Sequence, residues 1–111
     1  MSLKPEPFTS IASGKKTIEL RLYDAKRQLI KIGDEIEFSN ITNADLRILV
    51  KVIALHRFNS FKELYASLPL KKCGYDDLSI GNASPKDMDS YYSPDEQYKN
   101  GVIGIEFQIV R

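Results

Sequence analysis

The sequence predicts a small α+β protein, mainly β, in which a mostly antiparallel β-barrel is flanked by short helices. Three observations carry that expectation. The 111 residues suit a single domain, 1–111, with one core. Several stretches read as strands, the clearest of them by strict period-two alternation. Helix signals gather ahead of the first clear strand and in front of the last one. Strands and helices therefore do not alternate as a doubly wound parallel sheet requires.

Taken in order, Pro5 to Gly14 reads as a short helix, with Phe8, Ile11 and Ala12 at helical spacing, Glu6 in the first turn and Gly14 placed to stop it. From Thr17 to Tyr23, Ile18, Leu20 and Leu22 alternate with Thr17, Glu19, Arg21 and Tyr23, which gives one buried and one polar face. Asp24 to Gln28 reads as a loop. Gly33-Asp34 opens a strand over Glu35 to Phe38, with Ile36 and Phe38 inward, and Asn40 to Asp45 has the composition of a turn. Leu46 to Leu55 is apolar on both faces in its middle, as expected of a strand covered on both sides.

Ser60-Phe-Lys-Glu63 has the pattern of a capping box in front of Phe61, Leu64, Tyr65 and Leu68, so a helix is expected to end near Pro69. Residues 70–83 lack periodicity. Ser84-Pro85 with Asp87, and Ser93-Pro94 with Glu96, are two further caps with Pro at the first helical position, where its missing N–H costs least. After Asn100-Gly101 comes a final strand, Val102 to Val110, with Ile103, Ile105, Phe107 and Ile109 on one face.

Composition narrows the function classes. No apolar run approaches the roughly 20 residues that span a bilayer. The opening Met-Ser-Leu-Lys-Pro-Glu-Pro lacks the apolar stretch of a signal peptide, so a cytoplasmic location is expected, with no membrane partner. One cysteine, Cys73, and one histidine, His56, exclude an internal disulfide and a Cys/His zinc site; neither metal nor cofactor is expected. The net charge of +1 hides an asymmetry: residues 1–31 carry seven Lys/Arg against three Asp/Glu, and residues 73–111 carry three against seven. Two readings stand open, a basic start paired with an acidic end across the protein's own surface, or one basic face presented to a phosphate backbone.

The segment Gly14-Lys-Lys-Thr-Ile-Glu-Leu-Arg21 is the candidate for chemistry. Thr17, Glu19 and Arg21 share one strand face above Ile18 and Leu20, and Lys15 and Lys16 stand at the strand's mouth. Arg forks onto phosphates and base edges, while Lys supplies a mobile positive charge or, when desolvated, a base. The alternative is a solvated strand face whose Glu19 and Arg21 meet cross-strand partners.

That run, after Phe8-x-x-Ile-x-Ser-Gly, resembles the ASCH domains, which are related to the PUA RNA-binding fold. Ile30-x-x-Gly-Asp-x-Ile-x-Phe38, Tyr91-Tyr-Ser-Pro-Asp-Glu96 and Gly101-Val-Ile-Gly-Ile-Glu-Phe107 match the same family in the same order, so the resemblance covers about Phe8 to Ile109. It implies a PUA-like barrel and an RNA- or nucleotide-binding cleft lined by Lys15, Lys16, Thr17, Glu19 and Arg21. Some small family members are N4-acetylcytidine amidohydrolases that use a Lys-activated Thr nucleophile. Their lysine matches Lys16, but the nucleophile's position holds Glu19, and a carboxylate cannot take the hydroxyl's part in acyl transfer. The competing expectation is accordingly a hydrolase acting on a modified nucleoside or on RNA, with Lys16 and Glu19 as a catalytic acid/base pair and Glu63 a helper suggested by position alone.

Tyr91 and Tyr92 are candidates for stacking on a base, or for one core and one rim position. Arg47, Lys51 and Arg57 share a face of their strand on simple alternation, where they would extend a basic track. His56 reads as a hydrogen-bonded edge residue and Cys73 as a small loop residue.

Overall fold

Alternating apolar and polar residues become a sheet whose two faces are buried against different partners. The computed structural model describes residues 1–111. Five strands, β1 (Ser2–Leu3), β2 (Ile18–Leu22), β3 (Glu35–Asn40), β4 (Asn43–Phe58) and β5 (Val102–Ile109), form one curled sheet in the order β1-β3-β4-β5-β2. Around it lie three short helices, α1 (Pro5–Ala12), α2 (Phe61–Ser67) and α3 (Pro94–Asn100), with 3-10 turns at Arg27–Leu29, Ile80–Asn82 and Pro85–Ser90. The β1–β3 pair is parallel and the other three pairs are antiparallel, so the sheet is mixed.

Curling brings the edge strands β1 and β2 towards each other without pairing them, and the barrel stays a half-barrel. One contact bridges the seam: Arg21 Nη2 on β2 donates to the Ser2 carbonyl on β1 at 3.1 Å. Inside the curl, Leu3, Phe38, Val50 and Phe107 pack against Phe8 and Ile11 of α1, with the Phe38 and Phe107 rings 5.3 Å apart. Burying each such side chain contributes about 1.5–3 kcal/mol. On the other face, Ile18, Leu20, Leu22 and Val102 pack against Phe61 and Leu64 of α2 and against Cys73 and Met88. Gly104 of β5 admits the end of α2 closely: a Cβ there would sit 2.8 Å from Leu68 Cδ1.

The three helix-start signals appear as expected. Ser60 Oγ accepts the Glu63 N–H, and complete capping boxes close over Ser84/Asp87 and Ser93/Glu96. The Ser84/Asp87 box starts a 3-10 turn rather than an α-helix.

Three strand expectations need correcting. The turn between β3 and β4 is only Ile41–Thr42; Asn43 to Asp45, taken as turn residues, already belong to β4. Asn40, whose Oδ1 accepts both the N–H and the hydroxyl of Thr42, makes that turn tight. The middle of β4 is not covered on both sides, because the outer face carries Leu49 and Ile53 at 40 % and 42 % exposure. Finally, a bulge between Val52 and Ala54 reverses the alternation. Arg47 and Lys51 therefore lie on the outer face, opposite Ser39 and Glu35, whereas Arg57 turns to the other face and lies 4.5 Å over the Tyr23 ring. The three cations do not form one track. β1 went unforeseen, since two residues are too short for an alternation signal.

Candidate functional site

The site is assembled by the way residues 70–75 dock onto the start of β2. As an edge strand, β2 has unpaired N–H groups on its free side. The Lys72 carbonyl accepts both the Thr17 and the Ile18 N–H, at 2.9 and 3.0 Å. That docking lays Gly74 across Lys16: a Cβ on Gly74 would stand 3.4 Å from Lys16 Cδ and 3.9 Å from Nζ, and its φ of +119° suits glycine. Lys16 is thereby buried to 9 % exposure, with its ammonium turned onto Glu19.

Glu19 is 4 % exposed and fully engaged. Oε1 accepts Lys16 Nζ at 2.8 Å, and Oε2 accepts Arg21 Nη2 at 2.9 Å and Nε at 3.0 Å. A buried carboxylate is tolerable only when its charge is answered in this way. Desolvation is the largest influence on its pKa and pushes it up. The Lys16 and Arg21 charges and hydrogen bonds together outweigh burial and hold the carboxyl below the usual range. The result is a Lys–Glu–Arg triad with two cations on one anion, fixed on a strand.

The rim of the triad comes from the segment between α2 and β5. Tyr65 of α2 shares a 2.7 Å hydroxyl contact with Tyr75, whose hydroxyl donates to Asp87 at 2.6 Å. Burial, followed by these bonds, pushes the Tyr75 pKa strongly up, so the chain stays protonated and intact. It ties the 70–75 docking segment to the turn at Pro85–Ser90, and so to Tyr91 and Tyr92. Tyr92 stacks on Phe61 with centroids 6.3 Å apart, and its hydroxyl, which has no hydrogen-bond partner, stands within electrostatic reach of Arg21, Glu19, Arg27 and Asp24. Tyr91 is half exposed at the rim, with Lys4 Nζ 4.9 Å over its ring.

Of the residues expected in the site, Lys16, Glu19 and Arg21 thus come into contact, and Tyr92 lies within electrostatic reach of Glu19 and Arg21. Lys15 is exposed, its backbone N–H bonded to the Ser10 carbonyl. Thr17 lines a separate shallow groove of about 320 Å³ with Ile11, Gly14 and Gln108, so it does not share the triad's contacts. Glu63 does not assist Lys16: its carboxylate accepts the Asn59 N–H, completing the N-terminal cap of α2. His56 pairs with Glu106 at 2.8 Å across β4 and β5. Cys73 is a buried core residue, and burial pushes its thiol up to about 11.

Sequence reasoning missed Ser2, Gly74 and Arg27. Ser2 and Gly74 act through backbone, which leaves no side-chain signal. Arg27 pairs with Asp24 three residues earlier, a spacing legible in the sequence. No ion pair joins the basic first third to the acidic last third. No group of three His, Cys, Asp or Glu side chains is placed to hold a metal ion, and no helix is long and apolar enough to cross a membrane.

A curled half-barrel with a helical insertion before its last strand places the chain among small curled-sheet α+β proteins. The chain belongs to the ASCH domain family, whose model matches residues 1–111. It is similar over 99 % of its length to the hypothetical protein PH0355, with 33 % identity, 96 % of that chain covered and a TM-score of 0.80. It is also similar to protein PF0455 from Pyrococcus furiosus, at 28 % identity, TM-score 0.70, and 100 % and 99 % of the two chains covered. An ASCH protein from Zymomonas mobilis shares the fold at 16 % identity and TM-score 0.68, with 97 % of this chain lying on 64 % of that one. No curated protein matches the sequence.

Proposed function

We propose that this protein binds a nucleotide or RNA in a cleft formed by the Gly14–Arg21 segment, with the Lys16–Glu19–Arg21 triad as its recognition element. One observation carries the reading: Glu19 neutralises only one of the two cations it holds, and so presents them in fixed positions with donors to spare. Arg21 Nη1 has no protein partner, and Lys16 has spent one of its three N–H donors on Glu19. Preorganised donors of this kind favour phosphates and the acceptor edges of bases. Tyr91, exposed at the rim, offers a stacking face, and Lys15 a flanking charge for a longer strand.

Binding is favoured over hydrolysis by the state of Glu19. A general base works best with a pKa near the operating pH, whereas this carboxylate is held low between two cations. As a pinned counter-ion it orients the two cations.

The test compares wild type with Lys16→Ala for binding of cytidine, cytidine 5′-monophosphate and a short single-stranded RNA at low salt, with N4-acetylcytidine turnover followed in parallel. Binding that weakens about tenfold or more in the variant, without turnover, supports the reading. Deacetylation by wild type that is lost in the variant would make the protein an enzyme and assign Glu19 another part. No response to any ligand would remove the cleft from nucleotide chemistry.

A further inference from the structure

We infer that Arg27 and Arg21 together form a phosphate subsite at the open end of the β2 seam, so that the ligand taken is phosphorylated rather than a bare nucleoside. The inference deepens the nucleotide-binding reading and rests on it.

Arg27 stands on a loop that closes one end of the curled sheet. The Gly33 N–H donates to the Val52 carbonyl at 2.8 Å, and Ile30 packs on Val52, Ile103 and Ile105. Asp24 fixes Arg27 twice, accepting its backbone N–H through Oδ1 at 3.0 Å and its Nη1 through Oδ2 at 3.3 Å. The side chain is 16 % exposed, yet Nε is buried without a partner, and no other buried side-chain nitrogen or oxygen in the protein lacks one. Native proteins rarely leave a buried donor unpaired, and the exceptions call for a ligand or a function to explain them. Here the unspent edge is the Nε–Nη2 fork, the edge that takes a phosphate or carboxylate bidentately.

Arg21, on β2, lies within electrostatic reach of the same Tyr92 hydroxyl as Arg27. Glu19 and Ser2 engage its Nε and Nη2 and leave Nη1 free. Both guanidinium groups act on the unpartnered Tyr92 hydroxyl, as do the two carboxylates that hold them. Lys16 and Arg21 are held on Glu19 and Arg27 on Asp24, and Lys26 lies exposed next to Arg27 in the chain. Bringing like charges together is unfavourable in the free protein, and a dianion between them reverses the sign. A phosphate monoester supplies that charge with acceptors for the Nε–Nη2 fork, for Arg21 Nη1 and for the Tyr92 hydroxyl. A nucleoside supplies none of these at that end. The exposed loop residues Lys26, Gln28 and Leu29 leave room for the small outward turn that presents Nε.

The experiment titrates the full ¹⁵N-labelled chain with inorganic phosphate and follows the arginine Nε–H resonances. The Arg27 and Arg21 signals are expected to shift together and saturate. Cytidine 5′-monophosphate is expected to bind about tenfold or more tightly than cytidine in wild type, and equally in Arg27→Gln. Arg27→Lys, which keeps the charge and the pairing with Asp24 but lacks the fork, should recover only part of the preference, and its melting confirms an intact loop. An Arg27 signal unmoved by phosphate, or equal binding of nucleotide and nucleoside by wild type, overturns the subsite while nucleoside binding in the cleft stands. A saturating Arg27 shift with no binding of cytidine, its monophosphate or RNA keeps the subsite and removes the nucleotide reading.

Discussion

Replacing Glu19 with Gln preserves the side chain's shape and removes the charge on which Lys16 and Arg21 both depend. At 4 % exposure the carboxylate takes three charge-assisted bonds of 2.8–3.0 Å. A glutamine oxygen accepts some of them, but its amide hydrogens face cations, and two positive groups at the start of an edge strand lose their counter-charge. Breaking a buried pair by removing one partner costs about 3–5 kcal/mol, a large share of the roughly 5–15 kcal/mol that holds a domain of this size. In urea at neutral pH the midpoint is expected to fall by about 2 M, taking a slope of roughly 1–3 kcal/mol/M. Added salt should change the difference little, because buried pairs are weakly screened.

The pH profile gives a second reading of the same side chain. Its folded pKa lies below the ordinary 4.5, so the unfolded state binds the proton first as pH falls. The stabilisation from Glu19 is fully present above about 4.5 and is lost as pH drops through the folded value. The stability gap between wild type and Glu19→Gln should therefore be constant near neutrality and close in acid. A gap under about 1 kcal/mol at pH 7, or one that salt erases, would place the triad among solvent-screened surface pairs and refute its preorganisation.

Two further outcomes follow from neighbouring geometry. Arg21→Met should loosen the seam. Loss of the charged bond to Ser2 is expected to raise amide exchange about tenfold or more at Ser39 and Ile41, whose N–H groups hold Met1 and Leu3 of the β1 segment, ahead of any rise along β4–β5. Uniform exchange across the sheet would show that Arg21 does not close the half-barrel. Cys73, with its thiol moved from 9.0 up to about 11 by burial, should react with a thiol reagent roughly a hundredfold more slowly than in the urea-unfolded chain. Equal rates would mean that the 70–75 segment does not stay docked on β2.

What the sequence disclosed was set by how each signal is encoded. Side-chain periodicity revealed β2 and β5, and cap chemistry revealed the starts of α2, α3 and the Pro85–Ser90 turn, since both are local rules read over a few residues. The β4 bulge broke the one long strand's alternation at a point no local rule marks, and so Arg57 was assigned to the wrong face. Leu49 and Ile53 looked internal because β-branched and apolar residues are favoured in strands whether or not something covers them. In the site, the Glu19–Arg21 contact was legible from spacing. Burial of Lys16 was not, because it is imposed by the Lys72 carbonyl and by the absence of a side chain on Gly74. Thr17 shared the strand parity of Glu19 yet lies at the strand's start, where the chain is still turning away from α1.

The placement of the triad bears on why an ion cluster occupies a position that apolar side chains would hold with less penalty. Apolar replacements of buried ion pairs are often neutral or stabilising, so stability alone does not account for Lys16, Glu19 and Arg21. Their position does. Glu19 and Arg21 sit on an edge strand at the one interruption of a curled sheet, and Arg21 bonds both to Glu19 on its own strand and to Ser2 across the gap. An apolar seam would close by contact and leave no donors behind. A guanidinium held at Nε and Nη2 closes the seam and keeps Nη1 for a ligand, so the same residue supports the fold and the cleft. Perturbing it should then move both readouts together: Arg21→Lys, which keeps the charge but loses the fork, is expected to weaken phosphate binding and to raise exchange at Ser39 and Ile41 in the same variant. A variant that changes one of these without the other would separate closure from recognition and end the case for a shared device.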